Sequence, residues 1–174
     1  AAMSVGLAMA SQHLSAQLSP SLFSNHTYAL LGDGCMQEEV VSGSASLAGH
    51  LKLNNLIWYY DKNDQQISGN IDRAVSTNYK KMFESMGWSV KEIDGHNHSE
   101  IRNSLQQASK EKNKPTLIIG QSIMAKGAAT MEGSHTTHGA PLPETERLAT
   151  LKKLGVPETE EFYSALTCIH NVQR

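Results

Sequence analysis

Tyr28-Ala29-Leu30-Leu31-Gly32-Asp33-Gly34 and Leu56-Ile57-Trp58-Tyr59-Tyr60-Asp61-Lys62-Asn63 decide how this chain reads. Each is a short apolar run that ends on an oxygen-bearing side chain. Asp33 closes the first and Asn63 the second, thirty positions apart. Such runs predict strands buried in a parallel sheet. The interval between them accommodates one crossover helix, predicted over residues 36–51. Its small residues Ser42, Gly43, Ser44, Ala45, Ala48 and Gly49 point to close packing.

Working outward, an Ala-, Leu- and Met-rich helix is predicted over residues 1–18 and a turn at Pro20, Ser21 and Asn25. Residues 61–74 read as a polar loop, and residues 79–86 as a short helix. Further strands are predicted at 89–93 and 116–119, with a helix over 99–112 between them. Residues 121–143 read as irregular. A helix follows over 144–154, stopped by Gly155 and Pro157. Met82, Phe83, Met86 and Trp88 read as core. The alternation predicts an α/β fold: a mainly parallel sheet with helices on both faces. Ligands of such sheets bind at the carboxyl ends of the strands. Asp33, Asn63 and the 121–143 loop are expected to converge there.

Length and composition fit one domain with a real core. A net charge of −2 gives no electrostatic case for nucleic acid or an anionic membrane. The histidines are scattered, so zinc is not suggested. Cys35 and Cys168 form no motif and fit a reducing, cytoplasmic setting. No apolar run is long enough to span a bilayer. The opening residues Ala1 to Ala10 read as the inside of a buried helix, so a larger protein is expected.

A carboxylate at Asp33 and an amide oxygen at Asn63 suit Mg²⁺, a hard cation that also takes backbone carbonyls and phosphate oxygens. Gly32 and Gly34 let the backbone approach a phosphate closely, because no Cβ intervenes. The following helix is expected to aim its free N–H groups at that anion. Asp61 reads as a strand-end residue without a ligand, and His50 and His96 as structural. Glu38 also suits a solvated acid in a helix's first turn.

Gly32-Asp33-Gly34 with Asn63 resembles the thiamine diphosphate signature. The longer runs Gly32-Asp33-Gly34-Cys35-Met36-Gln37-Glu38, Ser46-Leu47-Ala48-Gly49-His50-Leu51 and Ser134-His135-Thr136-Thr137-His138-Gly139-Ala140-Pro141-Leu142 resemble transketolase in particular. The resemblance implies that residues 1–157 form part of the diphosphate-binding domain, without its beginning, and that 158–174 are a tail or the start of a linker. It implies thiamine diphosphate with Mg²⁺, or Ca²⁺ in its place, and two-carbon ketol transfer between sugar phosphates. The metal would be held by Asp33, Asn63 and the backbone carbonyl of Gln65. Gly34 would offer its N–H to the diphosphate, Ile67 would lie against the thiazolium ring, and His138 would donate a hydrogen bond or shuttle a proton. Glu38 would join a carboxylate cluster at the interface of a homodimer. A second subunit or pyrimidine-binding domain would complete the site, so this chain alone is expected to be inactive.

Three positions and one loop depart from the family pattern. Glu39 stands where Gly is usual, Gly43 where a second Glu is frequent, and Ser68 where Asp is frequent. The 121–131 loop is longer. The first two weaken the expected carboxylate cluster; none touches the expected metal ligands. Two alternatives stay open: another thiamine diphosphate enzyme, and a non-catalytic assembly domain. A dinucleotide-binding domain is the weakest reading, because no Gly-x-Gly-x-x-Gly follows the first strand.

Overall fold

The computed structural model describes residues 1–158. The expectation for 158–174 therefore falls, but for its first residue, outside the described residues. The described residues divide into two compact units, the second beginning at residue 123.

The first unit opens with α1 (Ala2–Gln17), then β1 (Thr27–Gly32), a single helical turn α2 (Asp33–Met36) and α3 (Glu39–His50). There follow β2 (Leu56–Lys62), a small hairpin of β3 (Gln65–Gln66) and β4 (Gly69–Asn70), and a 3-10 turn at Ile71–Arg73. It ends with α4 (Tyr79–Ser85), β5 (Ser89–Asp94), α5 (His98–Ala108) and β6 (Thr116–Gln121). The four long strands are parallel, in the order β1-β2-β6-β5.

Period-two alternation divides the strand residues between two cores. Leu56, Trp58 and Tyr60 of β2, with Leu117 and Ile119 of β6, join Val5 and Ala8 of α1, Val41, Ala45 and Ala48 of α3, and Phe83 of α4. On the opposite face Ile57 and Ile118 meet Ala108, with Leu105, Tyr59 and Ile93 against them, so α5 covers that side. Trp58, Phe83 and Trp88 form the aromatic centre, with ring centroids 4.7–5.9 Å apart. Both indole N–H groups are satisfied, Trp58 by the Ser4 hydroxyl and Trp88 by the Ala45 carbonyl, each at 2.8 Å. Gly49 is required by packing: a Cβ there would lie 1.8 Å from the Met86 carbonyl oxygen.

Several expectations need correction. The helix predicted from residue 36 is split into α2 and α3, so the long helix starts at Glu39, beyond Gly-Asp-Gly. Its positive end is therefore not built directly on Gly34. The loop predicted over 61–74 contains the β3–β4 hairpin, and β2 runs on to Lys62. The helix predicted over 99–112 is α5, His98–Ala108, started by Asn97, whose side chain accepts from the N–H groups of Ser99 and Glu100. β1 is not buried on both faces: Tyr28 and Leu30 are exposed, Leu30 at 74%. It stands at the end of the sheet, where one of its faces lacks the helical cover that α5 gives to the strands beyond. Among the described residues, no helix is long and apolar enough to cross a membrane.

The second unit contains the irregular stretch, a 3-10 turn at His135–Thr137 and α6 (Glu144–Leu154). Gly155 ends α6 in the left-handed conformation, with φ 69°. Glu146, in the first turn of α6, accepts hydrogen bonds from the Thr130 N–H and hydroxyl, both at 2.7 Å, and from the Met131 N–H at 3.0 Å. These bonds hold its carboxyl below the usual glutamate range, the Thr130 N–H contributing most. Glu132 accepts from Gly127 N–H at 2.9 Å and pairs with Lys126 at 3.0 Å.

Candidate functional site

β1 and β2 are adjacent and in register, Gly32 opposite Asp61, so their carboxyl ends emerge side by side. Asp33, the first residue past β1, is 2% exposed. Its Oδ2 accepts the backbone N–H of Asn63 at 3.0 Å and of Asp64 at 2.9 Å. Its Oδ1 accepts the hydroxyl of Tyr60. The loop after β2 thus closes directly over the carboxylate that follows β1.

Asp64 itself takes a left-handed conformation, φ 60°, which Asp and Asn tolerate better than other non-glycine residues. Lys62 and Gln121 hold Asp64 there, at 2.6 Å and 2.8 Å. Burial alone would raise the Asp64 carboxyl, but the hydrogen bonds from Lys62 and Gln121 and the Lys62 charge hold it below its ordinary range. Burial pushes the Tyr60 phenol far up, aided by the Asp33 hydrogen bond and charge, so Tyr60 remains a donor. Tyr79 packs edge-on against it, ring centroids 5.7 Å apart.

Asn63 Oδ1 accepts from Gln65 N–H at 3.0 Å, and Asn63 Nδ2 donates to Asp61 Oδ2 at 3.4 Å. Gln65 lies in β3 and Ile67 at the hairpin tip, 79% exposed. Gly32 and Gly34 border open space: a Cβ at either would meet nothing within 4 Å, and neither has a positive φ. Among the described residues, nothing packed against these positions requires glycine, and both leave room for a close approach to the backbone. The described hydrogen bonds tie Asp33, Asn63 and Gln65 into one cluster. Glu38 is exposed at the start of α3 with no side-chain cap bond. His138 is exposed in the second unit, just past the 3-10 turn. Among the described residues, no group of three His, Cys, Asp or Glu forms a metal cluster; the cluster here has one carboxylate, Asp33, beside the neutral oxygens of Asn63 and Gln65.

A carboxylate has about four acceptor sites. Three are filled, by Tyr60 and the N–H groups of Asn63 and Asp64, leaving about one. An amide oxygen has about two, and Gln65 fills one on Asn63. Asp33 Oδ2 is filled by its two N–H partners, while Asp33 Oδ1 and Asn63 Oδ1 each keep capacity for one more, and oxygen donors are what Mg²⁺ and Ca²⁺ take.

Residues 1–173 match the family described as transketolase, thiamine diphosphate binding domain. The chain belongs to this family. A transketolase of Sinorhizobium medicae is 40% identical over 158 residues, covering 91% of this chain and 23% of that protein. One from Bacillus subtilis is 38% identical over 166 residues, covering 93% and 25%. A solved transketolase from Campylobacter jejuni matches with a TM-score of 0.94 at 38% identity, covering 98% of this chain and 27% of that one. The chain spans about a quarter of the length of the curated relatives it matches.

The contacts of Tyr60 and Asp64 with this cluster were not foreseen from the sequence. The signal for Asp64 was present: an Asn-Asp pair in a polar loop is where left-handed backbone concentrates. Tyr60 gave no signal beyond its place in an apolar strand.

Proposed function

We propose that this transketolase-family domain binds the diphosphate end of thiamine diphosphate through Mg²⁺, with Ca²⁺ as a substitute, and serves two-carbon ketol transfer from a ketose phosphate to an aldose phosphate. One observation carries the reading. Asp33, nearly inaccessible, is joined to the Asn63 loop by two backbone hydrogen bonds to its Oδ2, while Asp33 Oδ1 and Asn63 Oδ1 keep spare acceptor capacity.

Asp33 and Asn63 hold the cation through side-chain oxygens, and Gln65 through its carbonyl. Gly34 offers its N–H to the diphosphate, with Gly32 leaving room beside it. Ile67, bare at the hairpin tip, supplies an apolar wall for the thiazolium ring. His138 donates a hydrogen bond to, or moves a proton at, the reacting carbonyl oxygen. Glu38 belongs to a dimer interface. Thiamine diphosphate supplies, when bound, the carbon nucleophile and electron sink that carbon–carbon cleavage beside a carbonyl needs. A pyrimidine-binding domain, from the same or a second subunit, completes the site, and residues 1–157 alone turn over no substrate.

Calorimetric titration with thiamine diphosphate, with and without Mg²⁺, tests the assignment on the full natural polypeptide. A magnesium-dependent signal that vanishes in Asp33→Ala is expected; an unchanged isotherm refutes it. A coupled ketol-transfer assay on the 174-residue chain alone is expected to read blank.

A further inference from the structure

We infer that Asp61, braced by Ser122, is a positioning residue that sets which end of the Asn63 amide is presented to a cation; this rests on the cation reading above. An ionised carboxylate can only accept hydrogen bonds, and a backbone N–H can only donate. Asn63 stands between one of each. Asp61 Oδ2 takes the amide's Nδ2, and Gln65 N–H takes its Oδ1. Turning the amide over would set its oxygen against a carboxylate and its N–H groups against another N–H. Both neighbours therefore select the same orientation.

Asp61 is itself fixed. Its Oδ1 accepts the hydroxyl of Ser122, and the Ser122 N–H donates to the Lys62 carbonyl at 2.8 Å. Asp61 lies opposite Gly120 in the β2–β6 pairing, so the brace spans two strands. The Asn63 oxygen is thereby set by an element of the sheet and not only by its own loop. Outer partners of this kind orient ligands and set their affinity for metals.

The test uses the full natural polypeptide with saturating thiamine diphosphate, titrated with Mn²⁺ and read from the free-ion paramagnetic resonance signal. Asp61→Ala is expected to weaken Mn²⁺ binding by about 10–100-fold. Asp61→Asn is expected to lose less than Asp61→Ala but to fall below wild type, because its amide can accept from Asn63 or donate to it and only the Gln65 N–H still selects one orientation. Ser122→Ala is expected to fall between Asp61→Ala and wild type. Without cation, the thermal midpoints of Asp61→Asn and wild type should agree, and the rise on adding Mn²⁺ should shrink in the order of affinity. Wild-type affinity in Asp61→Ala, or equal damage in Asp61→Asn and Asp61→Ala, overturns the inference. Should Asp61→Ala fail to fold, wild-type affinity in Ser122→Ala overturns it. Asp33→Ala separates the two levels. If it binds Mn²⁺ like wild type, the cation reading itself is wrong; if only Asp33→Ala loses binding, Asp61 has no positioning role.

Discussion

Replacing Asp33 with Ala separates what the carboxylate does for the fold from what it does for a cation. The substitution strands three donors: the Tyr60 hydroxyl and the N–H groups of Asn63 and Asp64. Tyr60 is 1% exposed, so water does not easily replace its acceptor, and an unsatisfied buried hydroxyl costs about 1–3 kcal/mol. The two amides lie in a partly exposed loop where water substitutes, at about 1 kcal/mol each. Removing a buried charge offsets part of this. The expected loss is about 3 kcal/mol, a large part of the roughly 5–15 kcal/mol that holds a domain. With a urea slope of about 2 kcal/mol/M, the midpoint should fall by about 1.5 M. Tyr60→Phe removes the stranded hydroxyl while keeping the ring against Tyr79. Added to Asp33→Ala, it should restore about 1–2 kcal/mol, although alone it destabilises. Urea unfolding of the four chains, followed by far-ultraviolet circular dichroism, gives the coupling. Additivity within about 0.5 kcal/mol would show that the Tyr60–Asp33 bond does not anchor this loop.

Gly49→Ala places a methyl 1.8 Å from a main-chain oxygen that cannot move cheaply. It should destabilise by about 3 kcal/mol, measured by the same urea titration. Glu146 has a depressed carboxyl, so its contribution is full above the unfolded glutamate range and is lost as pH falls through the lower folded value. Amide exchange at Thr130 and Met131, compared with Glu146→Gln across that acid range, should show protection collapsing only in the wild type. His138→Ala in the full natural polypeptide should lower ketol transfer by about 10²–10⁴-fold while leaving Mg²⁺ affinity unchanged; a change confined to cation binding would reassign the residue.

The pairing of Asp33 with Asn63 was legible because each closes an apolar run and β1 and β2 are neighbours. Strand–helix alternation was legible for the same reason. The break between α2 and α3 was not, since no proline or glycine stands between Met36 and Glu39 to mark it. The exposure of Tyr28 and Leu30 was hidden too: an apolar run reads alike at the edge and in the middle of a sheet. The contacts of Tyr60, Asp61 and Ser122 join residues up to 61 positions apart and depend on the β2–β6 register, which local pattern does not encode.

β1, last in its sheet among the described strands, has consequences for handling the free polypeptide. A terminal strand offers main-chain groups on its open side, and Leu30 and Tyr28 make that margin greasy. Such a margin is a template for accretion by further copies. Concentrated samples should grow turbid on warming, and a lysine at position 30 should keep them clear.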